Sequence, residues 1–394
     1  MDNTKPIKVL HVMSGFGGGI SSHIRNLAQV VDPNKIIFDV ISFTDYSEDF
    51  KNEIANINGK TFTFLKPKKV GFFKFYKDAL STIKENGPYD VMLCHTSGHY
   101  AAVFKLLSKQ AKIKRFIVHA HKTQYDNMDR LKDKMKVRFD KFISTFTATQ
   151  MTSCSTESSR FVFGDRVVEK NQVMHIPNSI PLEKYIYNLT EEEKLSIKKE
   201  NDIPTNKLLI GNVGRFNLQK NHEFMVKLIK YLATDGVDFT WLFIGAGELE
   251  DEIKALVSKE KLEDYVLFLG RREDANVLYQ ILDVFVLPSF YEGLPTVIVE
   301  TQAAGVPSVI SDTITREVDL GLNLVSYLSL ENSLEEWKEE ILKLSKSEIP
   351  SAEIRRNKLN EKGFSNQVAG RLYEDFLWRK INTFKIGESY KNVN

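Results

Sequence analysis

The sequence predicts an α/β protein made of two doubly wound, Rossmann-like domains that face each other across a cleft. Three observations predict it. At 394 residues the chain is longer than one ordinary hydrophobic core organises. Short apolar, β-branched runs alternate with segments of helical period, which is the pattern of parallel strands joined by crossover helices. That rhythm stops near residue 180 and then begins again.

In chain order, IKVLHVMS (7–14) reads as the first strand and 20–31 as a helix; IIFDVISF (36–43), a helix over 48–56, TFTFL (61–65) and a helix over 72–86 follow. YDVMLCH (89–95), a helix over 99–109, KRFIVHA (114–120), a Lys/Arg-rich helix near 128–142 and a strand near 146–154 continue the alternation. QVMHIPNSI (172–180) closes the first domain, because Pro177 and Asn178 break both regular structures. After a polar helix over 190–201 the pattern restarts with KLLIGNVGRF (207–216), a helix over 221–234, FTWLFIG (239–245) and a helix over 248–259. YVLFLG (265–270), DVFVLPS (283–289) and VPSVIS (306–311) complete the second set of strands. The expected domains are 1–180 and 181–364, with a C-terminal segment, 365–394, completing the first. Its long helix, roughly 365–385, carries Phe376, Leu377, Trp378 and Ile381 and is expected to pack across both domains. Ligands of such sheets sit in the crevice outside the carboxyl ends of the strands.

Composition narrows the class further. A chain that is 42% hydrophobic and 27% charged, with its 11 prolines scattered, is globular rather than disordered. No stretch reaches the roughly 18 apolar residues of a membrane span. Cys94 and Cys154 are too few for a disulfide framework or a metal-ligand spacing, so a reducing cytosol fits best. The start, MDNTKPIKVLHVMS, lacks the order of a signal peptide, and the expected location is cytoplasmic. Residues 1–180 hold 27 Lys and Arg against 17 Asp and Glu, a balance of +10 within a net charge of +2. The first half therefore expects an anionic partner, a membrane surface or a phosphate-bearing acceptor, or else simply solvated helix faces. No nucleic-acid partner is expected.

The most specific motif is SFYEGLPTVIVETQAAGVPSVIS (289–311), directly after the strand DVFVLP. Pro295 suits the first turn of the following helix, and Gly293 lets backbone approach a ligand closely. The amides of Leu294, Thr296 and Val297 then present the positive helix end to a diphosphate. Glu300, one turn further in, is placed for ribose hydroxyls, and Glu292, on the loop, for hydroxyls of a transferred sugar. A second motif, NVGRFNLQKNH (212–222), ends the first strand of the second domain. There Arg215 offers a planar fork and Lys220 a point charge to the same diphosphate. In FIGAGELEDEI (243–253), Gly245 and Gly247 permit a tight turn near the nucleotide.

The first domain offers SGFGGGISSHI (14–24), whose glycines let the loop pass close to phosphate or sugar. It fails the Gly-x-Gly-x-x-Gly test of a dinucleotide site, since from Gly15 and Gly17 the sixth place is Ile20. IVHAHKTQYDN (117–127) puts His119 and His121 at a strand's carboxyl end, and CHTSGHY (94–100) adds His95 and His99, on the acceptor side or structural.

With its Glu292-to-Glu300 spacing inside a loop-to-helix EGLP segment, the chain resembles the family-4 retaining glycosyltransferases of the GT-B fold, the kind that build bacterial exopolysaccharide and capsule. The resemblance covers nearly all the chain and is strongest over 207–311. It implies a donor domain at the C-terminus, an acceptor domain at the N-terminus, and a nucleotide diphosphate sugar, UDP-linked, as donor substrate. Arg215 and Lys220 then hold the leaving diphosphate, FLGRRED (268–274) lays Arg271 and Arg272 beside the nucleobase, and the Gly18-Gly19-Ile20 loop covers the diphosphate. A His at the strand end contacts the donor sugar, and alignment on the strand favours His121 over His119, which falls to the acceptor side. The implied reaction retains the anomeric configuration, with the leaving phosphate taking the acceptor's proton and Glu292 orienting the sugar. An Asp-x-Asp metal motif is absent, so no metal or other cofactor is expected and the positive groups alone stabilise the leaving group. The implied acceptor is a glycan or a polyprenyl-diphosphate-linked sugar. Ser21 and Ser22 stand where the family often has an acidic residue, which puts the acceptor contacts in question, and Ser179 stands where a linker Gly is usual. Two other readings compete: an NAD-dependent oxidoreductase, with Asp39 as its ribose-binding acid, and a non-catalytic sugar-nucleotide-binding relative.

Overall fold

The computed structural model describes residues 5–124 and 131–381. The chain divides into two compact units, one running to Ser179 and resuming at Lys362, the other Ile180–Glu361.

The first unit holds a seven-stranded parallel sheet of β1 (Ile7–Val12), β2 (Ile36–Ser42), β3 (Thr61–Thr63), β4 (Val91–Cys94), β5 (Arg115–Ala120), β6 (Gln150–Ser153) and β7 (Val173–His175). The order is β3-β2-β1-β4-β5-β6-β7, so the direction of winding reverses between β1 and β4. Alternation along β1 explains both faces: Ile7 and Val9 enter one core, Leu10 and Val12 the other. The core under Val9, Ile24 and Phe38 is closed by the helix Asn366–Leu377, through Val368, Leu372, Tyr373 and Phe376. Ser365 caps that helix by accepting from the Val368 amide. At the other end the Arg115 guanidinium donates to the carbonyls of Leu377 (2.6 Å) and Phe376 (3.3 Å), and Arg379 turns the chain at φ 59°. The helix is therefore shorter than the 365–385 expected, and it is tied to His11, Lys35 and Arg115 of the first unit. The remainder of the 365–394 segment beyond Ile381, and the start of the basic helix expected near 128, lie outside the described residues.

The second unit repeats the plan with six parallel strands: β8 (Leu208–Val213), β9 (Phe239–Ile244), β10 (Val266–Gly270), β11 (Val284–Leu287), β12 (Ser308–Ser311) and β13 (Val325–Leu328). Their order is β10-β9-β8-β11-β12-β13, and the reversal falls between β8 and β11. Trp241, Phe243, Val286 and Trp337 lie in its core. Among the described residues no helix is long and apolar enough to cross a membrane.

Candidate active site

In the second unit the loops that leave β8 and β11 meet at the reversal point, where open parallel sheets bind ligands. The β8 loop carries Arg215 and Lys220, the β11 loop carries Glu292, and the two are stitched together. Lys220 Nζ donates to Glu292 Oε1 at 2.7 Å. Gln219 Nε2 donates to Glu292 Oε2 and to the Tyr291 carbonyl, both at 2.9 Å, while Ser289 Oγ donates to Glu292 Oε1 at 2.8 Å. Glu292 is 9% exposed, so its charge is held by a cation and two neutral donors at the edge of solvent. The sequence placed Lys220 and Glu292 in one site but gave no sign that they pair; Gln219 and Ser289 carry no signal of their own. Arg215 is exposed at the start of the same loop.

Two glycines of the β9 loop set the position of Arg215. A Cβ on Gly245, at φ +145°, would lie 1.9 Å from the Gly214 carbonyl oxygen, and one on Gly247 would lie 2.4 Å from that of Phe216. The two loops run backbone to backbone, and Phe216 donates to the Ala246 carbonyl at 3.3 Å. Gly245 thus acts by letting the Arg215 loop approach, in addition to the tight turn expected. Gly245→Ala should cost about 2–4 kcal/mol in chemical denaturation. A wild-type unfolding curve would show instead that the loops shift apart freely.

The helix after the β11 loop is Thr296–Ala304, with Pro295 at its N-cap, one place earlier than the first-turn position expected, and no side chain capping it. The Ile298 amide donates to the Pro295 carbonyl at 3.1 Å, and the amides of Thr296 and Val297, ahead of it, precede the first intrahelical acceptor. Its far end is held: Gly305 turns at φ +80°, and the buried Arg355 guanidinium donates to the Ala303 carbonyl. Gly293 and the half-buried Thr296 and Val297 begin this element; Leu294 turns its side chain into the core. Glu300, one turn in, accepts from the Tyr279 hydroxyl at 2.9 Å. Burial pushes its carboxyl up, against the opposing pull of Tyr279, Thr296 and Lys220. Beside Lys220, His222 is buried against Phe216 at 4.2 Å between ring centroids, and burial lowers its pKa to about 4.

Arg272, expected beside the nucleobase, is also engaged within the protein: its guanidinium grips Asp274 in a two-pronged pair at 2.7 and 2.6 Å and donates to Asn201 Oδ1 at 2.6 Å. Arg271 stays exposed on the same loop.

In the first unit the loop after β1 adopts positive φ at Gly17 (96°) and Gly18 (101°), a conformation that requires glycine; Gly19 then opens the helix Gly19–Ala28. Ser21 Oγ accepts from the Gly17 amide and donates to the Gly18 carbonyl, so this serine shapes the loop. At the strand ends a run of hydrogen bonds links the Tyr373 hydroxyl to His11 Nε2 (2.8 Å), His11 Nδ1 to His95 Nε2 (2.9 Å) and His95 Nδ1 to His121 Nε2 (2.8 Å). Both ring nitrogens of His95 are thus engaged, which makes it structural rather than an acceptor ligand. His119 bonds Thr152 Oγ1 at 2.9 Å and lies 4.3 Å from the His121 ring. His95, His119 and His121 line a cavity of about 280 Å³ that also touches His99, Lys136 and Asp140. Burial holds all three of these imidazoles well below the usual histidine range, and lowers His11 to about 3 and His23 to about 4. The sequence missed His11 and His23, whose positions in a strand and a helix look like core. Asp39, the acid of the oxidoreductase reading, is buried against the Tyr89 hydroxyl and the Lys60 amide. Among the described residues no group of three His, Cys, Asp or Glu side chains is arranged to hold a metal ion.

The family model described as glycosyl transferases group 1 matches residues 193–365, the span that carries both stitched loops. EpsF of Bacillus subtilis, named as a glycosyltransferase, is 33% identical over 368 residues, which is 93% of this chain and 94% of that protein. An Escherichia coli protein named UDP-Gal:alpha-D-GlcNAc-diphosphoundecaprenol alpha-1,3-galactosyltransferase is 24% identical over 62% of this chain and 64% of its own. The crystal structure of Anabaena HepE in complex with UDP and glucose superposes with a TM-score of 0.76 at 18% identity, covering 95% of this chain and all of that one, which shows the GT-B fold. End-to-end similarity at one-third identity sets aside the oxidoreductase reading and shows the family: the chain belongs to the group 1 glycosyltransferases.

Proposed function

We propose that the protein is a family-4 retaining enzyme that moves a hexosyl or N-acetylhexosaminyl group from a UDP-sugar to a polyprenyl-diphosphate-linked acceptor in surface polysaccharide assembly, at the cytoplasmic face of a membrane. The observation that carries it is the Lys220–Glu292 pair beside the uncapped start of the Thr296–Ala304 helix. A cation and free helix amides suit a departing diphosphate, and the adjacent carboxylate suits sugar hydroxyls. Arg215 adds charge from an exposed position on the same loop, Gly245 lets that loop approach, Glu300 takes the ribose, and Arg271 lies on the loop assigned to the base. Gly18, Gly19 and His121 are assigned to the sugar end of the donor on the family pattern, and His99 and His119 to the acceptor. With those positive groups in place, the leaving diphosphate needs no divalent ion. The E. coli relative's name supports a UDP-linked donor and a lipid-diphosphate acceptor.

The test is transfer from a panel of UDP-, GDP- and ADP-sugars to an undecaprenyl-diphosphate-linked sugar in excess EDTA. Expected are a UDP-sugar donor and a product whose anomeric coupling by proton NMR matches that of the donor. Inverted product, or activity only after a divalent metal is added, would overturn the corresponding part of the reading.

A further inference from the structure

The helix Leu131–Thr147 is built inside out. Its buried side is polar: Ser144 is wholly buried, accepts from the Gly98 amide at 2.9 Å and donates to the Asp140 carbonyl at 2.7 Å. Asp140, 7% exposed, fills the space over Gly98 so closely that a Cβ there would meet Oδ1 at 2.1 Å. Its outer side is apolar: Met135, Phe139, Phe142 and Phe146 are 63, 61, 65 and 79% exposed. Their spacing of four, three and four residues puts them in one line along the helix, and the Phe142 and Phe146 rings stack on each other at 5.8 Å. Exposed Lys132, Lys134 and Arg138 accompany that line.

The same layer repeats the pattern. The helix His99–Gln110 packs between this helix and the helix Phe72–Asn86. At the start of the latter, Phe73 is 88% and Phe72 46% exposed, beside exposed Lys66, Lys68, Lys69 and Lys74. Aromatic side chains facing water within a cationic field call for a cover that is apolar at depth and anionic at its surface.

We propose that the Leu131–Thr147 helix is an interfacial helix that lies in the headgroup layer of an anionic bilayer, aromatic side down, with the Phe72–Phe73 turn as a second anchor. A second copy of the chain is the less suitable cover: four side chains on one helix offer on the order of 500 Å², below the roughly 800 Å² per partner of a stable interface, and the flanking like charges would face each other across it. The other side of the helix contributes Lys136 and Asp140 to the cavity that holds His95, His119 and His121. Docking therefore sets that cavity at headgroup depth, where the diphosphate of a lipid-anchored acceptor lies; this last step rests on the acceptor proposed above, and the docking itself does not.

The test uses the full chain with vesicles of phosphatidylcholine alone or mixed with phosphatidylglycerol. Wild type is expected to co-sediment with the mixed vesicles, less so as salt rises, and the Phe139→Ser/Phe142→Ser/Phe146→Ser variant to partition at least about tenfold more weakly. Its melting temperature should stay unchanged, because the removed rings are solvated. In Phe142→Trp, added mixed vesicles should shift tryptophan emission to the blue, and acyl-chain-brominated lipid should quench it. Equal binding by the triple variant, no binding by wild type, or an unquenched tryptophan would overturn the proposal. So would a wild-type dimer that the triple variant dissociates. UDP titration of the same preparations is unaffected either way, so failure of the docking surface stays distinct from failure of the donor site.

Discussion

Glu292→Gln is expected to lower the rate of sugar transfer by about two to three orders of magnitude while leaving UDP affinity within about threefold. Glutamine keeps the shape, but its single carbonyl oxygen can replace only one of the two carboxylate oxygens, that facing Ser289 and Lys220 or that facing Gln219, and it removes the charge that Lys220 holds at 2.7 Å. On the proposed function, what is lost is the negative group facing the sugar as its anomeric carbon becomes cationic, while the helix amides and the two basic side chains assigned to the nucleotide remain. Lys220 is 13% exposed and loses its anionic partner in this variant, so its ammonium becomes available to the diphosphate. The effect should therefore appear in kcat with a donor KM that is unchanged or lower, checked by steady-state transfer alongside calorimetric titration with UDP. An undiminished kcat would remove Glu292 from the chemistry.

Acid is expected to unfold the first unit well before carboxylate protonation would. His11 and His23 titrate in the fold at about 3 and about 4, because burial disfavours the imidazolium, whereas the unfolded chain protonates near 6.5. Below pH 6.5 the unfolded state therefore binds more protons than the folded one, and stability falls as pH falls. Each histidine costs about 1.4 kcal/mol per pH unit in that window. Together the two remove on the order of 5 kcal/mol by about pH 4.5, comparable with the whole stability of many domains. His95, His119 and His121, lowered by the same burial, steepen the loss. Thermal melts from pH 7.5 down to 4.5 should show the decline beginning near 6.5, and a His23→Asn variant should flatten it. Melts that stay constant over this range would mean that the cluster takes up protons within the fold.

Much of this architecture could be read in the chain, for definite reasons. Parallel strands buried on both faces appear as continuous apolar runs, so β1, β5, β9 and β11 stand out, and the helix Phe72–Asn86 ends where its period ends. β13 did not stand out: its four residues include Ser326 and Tyr327, and every one is only half-buried at the sheet's edge. The helix Leu334–Leu344 was legible but unread, since Ser333 and Glu336 form a capping box ahead of Trp337, Ile341 and Leu344. The helix Ala352–Glu361 gives almost no apolar pattern, because it is seated through the buried Arg355.

At the site, Glu292, Arg215 and Lys220 were marked by the loop chemistry around them. Their partners were not, because a hydrogen bond such as Gln219 to Glu292 joins positions 73 residues apart and leaves no local trace. Arg272 shows the opposite case: Asp274, two residues on, pairs with its guanidinium, and a reading for ligands passes that neighbour over. The exposed phenylalanines of 131–147 were hidden by their helix, whose buried positions are the polar Asp140 and Ser144 and so invert the usual rule for which side is buried.

The first unit is discontinuous, and this fixes an order of events at the ribosome. At about 5–20 residues per second, the strand Ile7–Val12 emerges tens of seconds before the helix Asn366–Leu377 that roofs its core. The uninterrupted second unit, ending at Glu361, is complete first. Until the last helix arrives, the core of Val9, Ile24 and Phe38 lacks the cover of Val368, Leu372, Tyr373 and Phe376, so a nascent chain stalled short of residue 366 is expected to expose apolar surface of the kind chaperones bind.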